Sequence, residues 1–263
     1  MIGLCAAAIA VVMVLTWLVS LVVRDASIVD IVWGLNFVVV ASVAFAFGDG
    51  AHARSLLLLA MVGIWGLRLS GYLARRNLGH GEDFRYRAMR KKFGARFGLI
   101  SLGTVFGLQG LLAWVVSLPV QLAATTDQPE HLGVLAGIGV VVWAVGLTFE
   151  AVGDAQLARF KADPASAGQV MDRGLWRYTR HPNYFGDFCI WWGVFAVAAE
   201  TAPARWGVVG PLVMSFLLLR VSGVTLLEKT IGTRRPGYAE YAARTSAFFP
   251  RPPKPAGAPD AGG

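Results

Sequence analysis

"GLWRYTRHPNYFGDFCIWWG", residues 174–193, is polar in its first half and apolar in its second. Arg173, Arg177, Arg180 and His181 gather just before Pro182, while Asn183, Tyr184 and Asp187 follow it and the run then turns hydrophobic. Pro182 suits the first turn of a helix, where its missing N–H is not needed. The stretch therefore reads as the entrance of an apolar helix. An anion held there would meet guanidinium forks and the positive end of the helix together. Asn183, Tyr184 and Asp187 fall in the first two turns, where amide, phenol and carboxylate can hydrogen-bond other polar parts of one ligand. A rule that keeps basic residues on the cytoplasmic side of a membrane explains the arginines by itself, but it does not explain Asn183 or Asp187.

Composition places this helix in a bilayer. The 263 residues are 56% hydrophobic and only 15% charged, far from soluble averages and toward integral membrane proteins. Stretches of roughly 17 to 25 apolar residues span about 30 Å of hydrocarbon. Seven such spans are expected, near 2–23, 28–47, 54–74, 99–122, 132–155, 183–199 and 206–227. The first has no basic segment before it and reads as a retained helix rather than a cleaved signal. With the N-terminus outside and the C-terminus in the cytoplasm, the inner loops carry 20 of the 24 Lys and Arg residues. The net charge of +8 follows from that orientation and is no sign of a nucleic-acid partner. The expectation is an all-α integral membrane protein, one seven-helix domain over 1–250, followed by a disordered Pro, Gly and Ala-rich tail over 251–263.

Cys5 and Cys189 both lie in apolar surroundings and read as inert thiols, and no Cys or His cluster has metal-ligand spacing. The polar residues within spans carry more information, because an ionisable group in hydrocarbon is costly unless it faces a cavity or a partner. Asp30, Arg68, Tyr72, Gln109, Glu150, Asp154, Asp187 and Arg220 are of this kind. Asp30 near a span boundary reads either as a structural partner of Arg24 or Arg75, or as part of a site. Glu150 and Asp154, four apart, share a helix face and repel one another. Either Arg159 and Lys161 neutralise them, or a ligand offering hydroxyl or amino donors rewards them.

The long stretch resembles the C-terminal signature of the steroid 5-alpha-reductase-like membrane proteins, especially their bacterial branch. The resemblance extends to "SIVDIVWG", "WGLRLSGYLARRN", "GEDFRYRAMR", "FEAVGDAQLARFK" and "SGVTLLEKTIGTRRPGYAEYAARTSAFFP". It implies a seven-helix fold that holds NADPH between the cytoplasmic half of the bundle and its loops, with an apolar, lipid-like substrate entering from the bilayer. By position, Asp154, Lys161, Tyr178, Asn183 and Asp187 match cofactor-contacting places of that family, and Glu150 stands where an asparagine is usual. Tyr72 resembles the tyrosine that donates a hydrogen bond to a substrate carbonyl. The family's glutamine–glutamate pair on the second helix is replaced here by Val29 and Asp30, a departure that counts against strict steroid specificity.

"RHPNY" also resembles the "RHPxY" of isoprenylcysteine carboxyl methyltransferases, which use S-adenosylmethionine on a related membrane core. No Gly-rich strand–helix fingerprint is present, so a Rossmann domain is excluded. A non-enzymatic lipid-binding or transport protein is a third reading, although no paired halves are visible. The expected chemistry is reduction of an activated C=C bond in a lipid or steroid-like substrate. Tyr72 and Asp30 are the catalytic candidates, with Asp30 holding or reprotonating Tyr72. The expected cofactor contacts are Glu150, Asp154, Lys161, Arg173, Arg177, Tyr178, Arg180, His181, Asn183, Tyr184, Asp187 and Arg220.

Overall fold

The computed structural model describes residues 1–221 and 236–254. Among them regular structure is helical throughout: α1 (Ile2–Val23), α2 (Ile28–Phe47), α3 (His52–Asn77), α4 (Phe84–Phe93), α5 (Phe97–Ser101), α6 (Leu108–Val116), α7 (Leu118–Ala123), α8 (Val134–Ala162), α9 (Pro182–Ala198), α10 (Val209–Phe216) and α11 (Tyr238–Arg244). Among the described residues, six helical runs are long and apolar enough to cross a membrane: Ile2–Val23, Ile28–Phe47, His52–Asn77, Phe84–Val116, Val134–Ala162 and Pro203–Val221. The sixth expected span, 183–199, is α9, with 17 residues. At 1.5 Å per residue it rises only about 25 Å, short of the roughly 30 Å hydrocarbon core. The span expected at 99–122 is interrupted at Ser117, after which α7 begins with Pro119 in its first turn. The end of the stretch expected at 206–227 lies outside the described residues.

The helices group into two compact units, Met1–Gly139 with Val194–Gly210, and Val140–Gly193 with Pro211–Gly263. Each is assembled from two separate chain segments, and the divisions fall inside α8, α9 and α10.

In the first unit, α1 buries Cys5, Ile9, Met13, Thr16 and Ser20, a spacing of three and four that marks one helix face. Its other faces expose Val11, Leu15, Val19 and Val22, the last 84% exposed. Exposed aliphatic side chains around most of a helix suit lipid, not water. α2 and α3 approach so closely that a Cβ on Gly34 would lie 2.5 Å from the Gly66 carbonyl oxygen. Backbones packed this tightly are characteristic of membrane helices, where small residues let van der Waals contact replace the missing hydrophobic drive. Phe37 is held there edge-on between Trp33 and Trp65.

A buried ion pair closes one end of this unit. Arg54, 1% exposed, lies 3.6 Å from Glu200 and donates through Nη2 to the carbonyls of Pro129 and His131. Glu200 in turn accepts from the Gly133 and Ala136 N–H groups, at the positive end of α8. The start of α3 and two connections that look featureless in sequence are thereby tied together.

In the second unit, α8 and α9 also meet through glycines: a Cβ on Gly186 would lie 2.5 Å from the Glu150 nitrogen. The C-terminal segment is fastened to the 174–181 loop. The Arg180 N–H donates to Ser246, and the Arg251 N–H to Tyr178. The Thr179 hydroxyl donates to the Phe248 carbonyl at 2.7 Å. Phe248 and Phe249 meet Phe185 and Phe188 edge-on. Of the tail expected to be disordered from 251, residues 251–254 are held, with the Lys254 N–H donating to Arg244; residues 255–263 lie outside the described residues.

Candidate functional site

The long motif is positioned by α8. The Gln156 carboxamide oxygen accepts from the Leu175 N–H at 3.0 Å, and the Trp176 indole donates to the Gly153 carbonyl at 3.0 Å. Gly174 has φ +60, and a Cβ there would lie 2.4 Å from the Gln156 amide nitrogen. Glycine meets both demands, being free of strain at positive φ and leaving room for Gln156. The Tyr241 hydroxyl donates to the Trp176 carbonyl from the other side. Burial pushes this phenol well above its ordinary range, reinforced by the charges of Tyr238 and Asp172, so it stays a neutral donor.

Within this frame the structure brings together the motif residues and the carboxylates of α8. Asn183 donates through its amide to Asp154 at 3.2 Å, joining two segments 29 residues apart. Asp154 and Glu150 are each 4% exposed and His181 is 5% exposed. The His181 ring stacks on Tyr184 with centroids 5.4 Å apart. Asp187 lies one turn further along α9, half-buried. Buried carboxylates, an amide and a stacked ring pair form a polar cluster where α8 and α9 meet.

Arg180 also ties down the last helix. Its Nη1 donates to the carbonyls of Ala242 and Thr245, at the negative end of α11. Tyr178 and Lys161 are exposed, and Arg220 is exposed on a π-turn, Leu217–Val221.

Arg173 and Arg177 line an open basin of about 600 Å³, together with Asp172, Gly174, Arg244, Thr245, Pro253 and Lys254. Arg244 bridges to Asp172. Sequence reasoning found the first two arginines and missed Arg244, near the end of the expected domain, and Lys254, in the tail that reads as disordered.

The first unit holds a second polar cluster. Asp30 accepts from the Tyr86 hydroxyl at 2.8 Å on one oxygen and from Arg85 at 2.8 Å on the other. The Gln109 amide donates to the same Tyr86 oxygen at 3.2 Å. The partners of Asp30 are thus neither Arg24 nor Arg75, and it does not hold Tyr72. Tyr72 lies half-buried on α3, with the Arg76 guanidinium 5.8 Å from its ring centre. The reason is the approach of α4, which brings two donors from "DFRYR" to Asp30. Asp83 caps that helix through the Arg85 N–H, and its own N–H donates to Ser27.

Glu82 completes this corner, accepting from the Ala26 N–H and from two nitrogens of Arg90. Burial alone would raise its carboxyl. The Arg90 and Ala26 hydrogen bonds, with the charges of Arg90 and Arg87, outweigh burial and hold it below the ordinary carboxylate range. The sequence signal was present in part, since an Asp ahead of an aromatic and basic run is a helix-start pattern. Nothing in the pattern says that the second and third residues of that helix reach Asp30.

Among the described residues no group of three or more His, Cys, Asp or Glu side chains could hold a metal ion.

The comparison with known proteins follows the same segments. An uncharacterized protein of Schizosaccharomyces pombe is 24% identical over 267 residues, which cover 89% of this chain and 75% of the relative. No solved structure matches. A family model described as a protein of unknown function, DUF1295, matches residues 16–245. That match takes in both polar clusters and every candidate residue from Asp30 to Arg220, and the chain belongs to the DUF1295 family, the steroid 5-alpha-reductase-like group.

Proposed function

We propose that this protein is an NADPH-dependent membrane reductase that saturates an activated C=C bond in a lipid or steroid-like substrate. The observation that carries the reading is the Asp154–Asn183 hydrogen bond at 3.2 Å. It joins "FEAVGDAQLARFK" to "RHPNYFGD", the two segments whose resemblance to the reductases concerns the cofactor. The donor set fits a dinucleotide: Arg173 and Arg177 for phosphate, Glu150, Asp154, Asn183 and Asp187 for ribose hydroxyls and amide edges, and the stacked His181–Tyr184 pair for a flat ring. Lys161, Tyr178, Arg180 and Arg220 complete the assignment, with Arg180 also holding α11.

NADPH, when bound, supplies the hydride. The chain's own residues orient the substrate and stabilise the charge that develops on a conjugated carbonyl oxygen. Tyr72 is assigned the donor that faces this oxygen. Asp30 remains in the proposal with Tyr86, not Tyr72, as its phenol partner; accepting on both oxygens, it fastens α2 to α4. The topology proposed is seven spans, N-terminus outside and C-terminus in the cytoplasm of a bacterial inner membrane, with α9 as the short span.

The test is titration of the detergent-purified protein with NADPH and, separately, with S-adenosylmethionine, followed by tryptophan fluorescence or calorimetry. NADPH is expected to bind, and Asn183→Ala to weaken it roughly tenfold or more, as losing a buried hydrogen-bond group does. Binding of S-adenosylmethionine with none of NADPH would instead support a membrane methyltransferase, for which "RHPNY" is the favouring motif.

A further inference from the structure

We propose that the outer face of α4 docks on the anionic phospholipid headgroups of the membrane that the chain spans. α4 sorts its cations between two faces. Tyr86 is buried, and Met89, Arg90 and Phe93 are half-buried, on the face turned toward the protein. The cations that line or edge this face are paired, Arg85 with Asp30 and Asp83, and Arg90 with Glu82. Arg87, Ala88, Lys91 and Lys92 are exposed on the opposite face, and the Phe84 ring among them is 64% exposed. The three cations there enter no ion pair among the described residues. Lys92 lies 5.3 Å from the centre of the Phe93 ring, a contact that leaves its charge unneutralised. Arg96, just beyond the helix, is exposed as well.

The place of α4 in the chain puts this face at headgroup level. A straight helix of the 33 residues Phe84–Val116 would rise about 50 Å, roughly 20 Å more than the hydrocarbon core. Charged side chains are costly in hydrocarbon, so the basic end is the part left outside. Gly94, with φ +54, ends α4 and lets the chain turn before the apolar run begins. The helix is then fixed to the start of α2. Asp30 accepts from Arg85 and Tyr86, Glu82 accepts from the Ala26 N–H, and the Asp83 N–H donates to Ser27. Held by its inner face, α4 keeps its outer cations turned away from these acids. Cations without carboxylate partners, beside an uncovered aromatic ring, complement a layer that is anionic at its surface and apolar just beneath. A headgroup layer has both properties, and the Phe84 ring supplies the apolar half of the match.

The experiment uses the full-length protein reconstituted in bilayers, with a fluorophore attached at Ala88→Cys. Cys5 and Cys189 are buried, so the label goes to the introduced thiol. Quenching by brominated phosphatidylglycerol is compared with quenching by brominated phosphatidylcholine, and the ratio gives the relative affinity of the two lipids for this face. One basic residue near an anionic surface is worth roughly fivefold in binding. A preference for phosphatidylglycerol of about that size or larger is expected, and it should weaken as salt is raised. Arg87→Gln, Lys91→Gln and Lys92→Gln together should bring the ratio toward one. Lys91→Glu alone should lower it as well, and it serves if the triple variant fails to fold. A ratio of one with the native cations, or a ratio that neither variant moves, overturns the inference. A preference abolished by millimolar glycerol 1-phosphate overturns it too, because the face would then bind a soluble phosphate. The measurement involves neither NADPH nor turnover, so its outcome is separate from that of the reductase reading.

Discussion

The Tyr86 hydroxyl donates to Asp30 at 2.8 Å, while Arg85, the preceding residue, takes the other carboxylate oxygen at the same distance. Two adjacent residues of α4 thus satisfy one carboxylate of α2. A hydrogen bond to a charged group contributes about 1.5–3 kcal/mol. Tyr86→Phe, which keeps the ring and leaves Asp30 with Arg85, should lower unfolding stability in detergent by about that amount. A melting temperature equal to that of the native protein would remove this bond from the stability of the corner.

Acid should loosen the neighbouring contact. The Glu82 carboxyl is held below its ordinary value by Arg90 and the Ala26 N–H. The sign is fixed by that direction: the folded protein holds its proton less tightly than the unfolded chain. The stabilisation is therefore complete above the unfolded value, near pH 4.3, and is lost as pH falls through the lower folded value. Melting temperature measured from pH 7 downward should fall below about pH 4.3, and Glu82→Gln should flatten that part of the curve. An unaltered acid limb in the variant would assign the acid sensitivity to other groups.

The contrast between α1 and Asp30 shows what the sequence could tell. The lipid-facing and inward faces of α1 follow from spacing alone, because burial of Cys5, Ile9, Met13, Thr16 and Ser20 repeats the helix period. Asp154 and Asn183 each stood out as polar residues on apolar helical patterns, Asn183 just after Pro182, but the hydrogen bond between them across 29 residues did not. Asp30's true partners were not, because 55 and 56 residues separate them from it and they sit in a basic run that reads as solvated loop. Arg54 and Glu200 were hidden for the same reason: one lies in the first turn of α3 and the other in the connection after α9, and only the fold makes them a buried pair. Periodicity reports faces of single elements, whereas long-range polar pairing depends on how loops close.

Gly174 can be tested by a single methyl group. Its φ of +60 and the 2.4 Å approach of Gln156 both oppose a side chain. Left-handed backbone alone costs about 1–2 kcal/mol for an L-residue with a Cβ, and displacing Gln156 frees the Leu175 N–H. Gly174→Ala should destabilise by at least that range and weaken NADPH binding as well, because the motif that follows is mispositioned. Unchanged melting and unchanged binding would show that the loop accommodates the change.

The proposed orientation is tested by cysteine labelling in intact cells. Cys5 and Cys189 are buried, so introduced thiols should dominate the signal. Asp49→Cys should react with an impermeant reagent, whereas Ala95→Cys and Ala167→Cys should react only after the membrane is opened. All three positions are exposed on the protein, so access turns on the bilayer. Labelling of all three in sealed cells would rule out the seven-span arrangement.

Tyr72 carries the catalytic assignment, and removing one oxygen separates that role from packing. Tyr72→Phe keeps the ring and its place beside Arg76, whose guanidinium lies 5.8 Å from the ring centre. A donor that stabilises a developing oxyanion is typically worth a hundredfold to a thousandfold in turnover, an order-of-magnitude range. Binding of NADPH rests on other residues in this proposal and should be unchanged. The measurement is NADPH oxidation by the purified variant and native proteins over membrane lipid extract, with the melting temperature followed in parallel. A large loss of rate at constant affinity and constant melting temperature assigns Tyr72 to chemistry. Native rate in the variant removes it from the mechanism. A falling melting temperature with rate lost only in proportion to folded protein makes its hydroxyl a structural hydrogen bond, and the carbonyl donor must then be sought elsewhere, with Tyr86 the next phenol to replace.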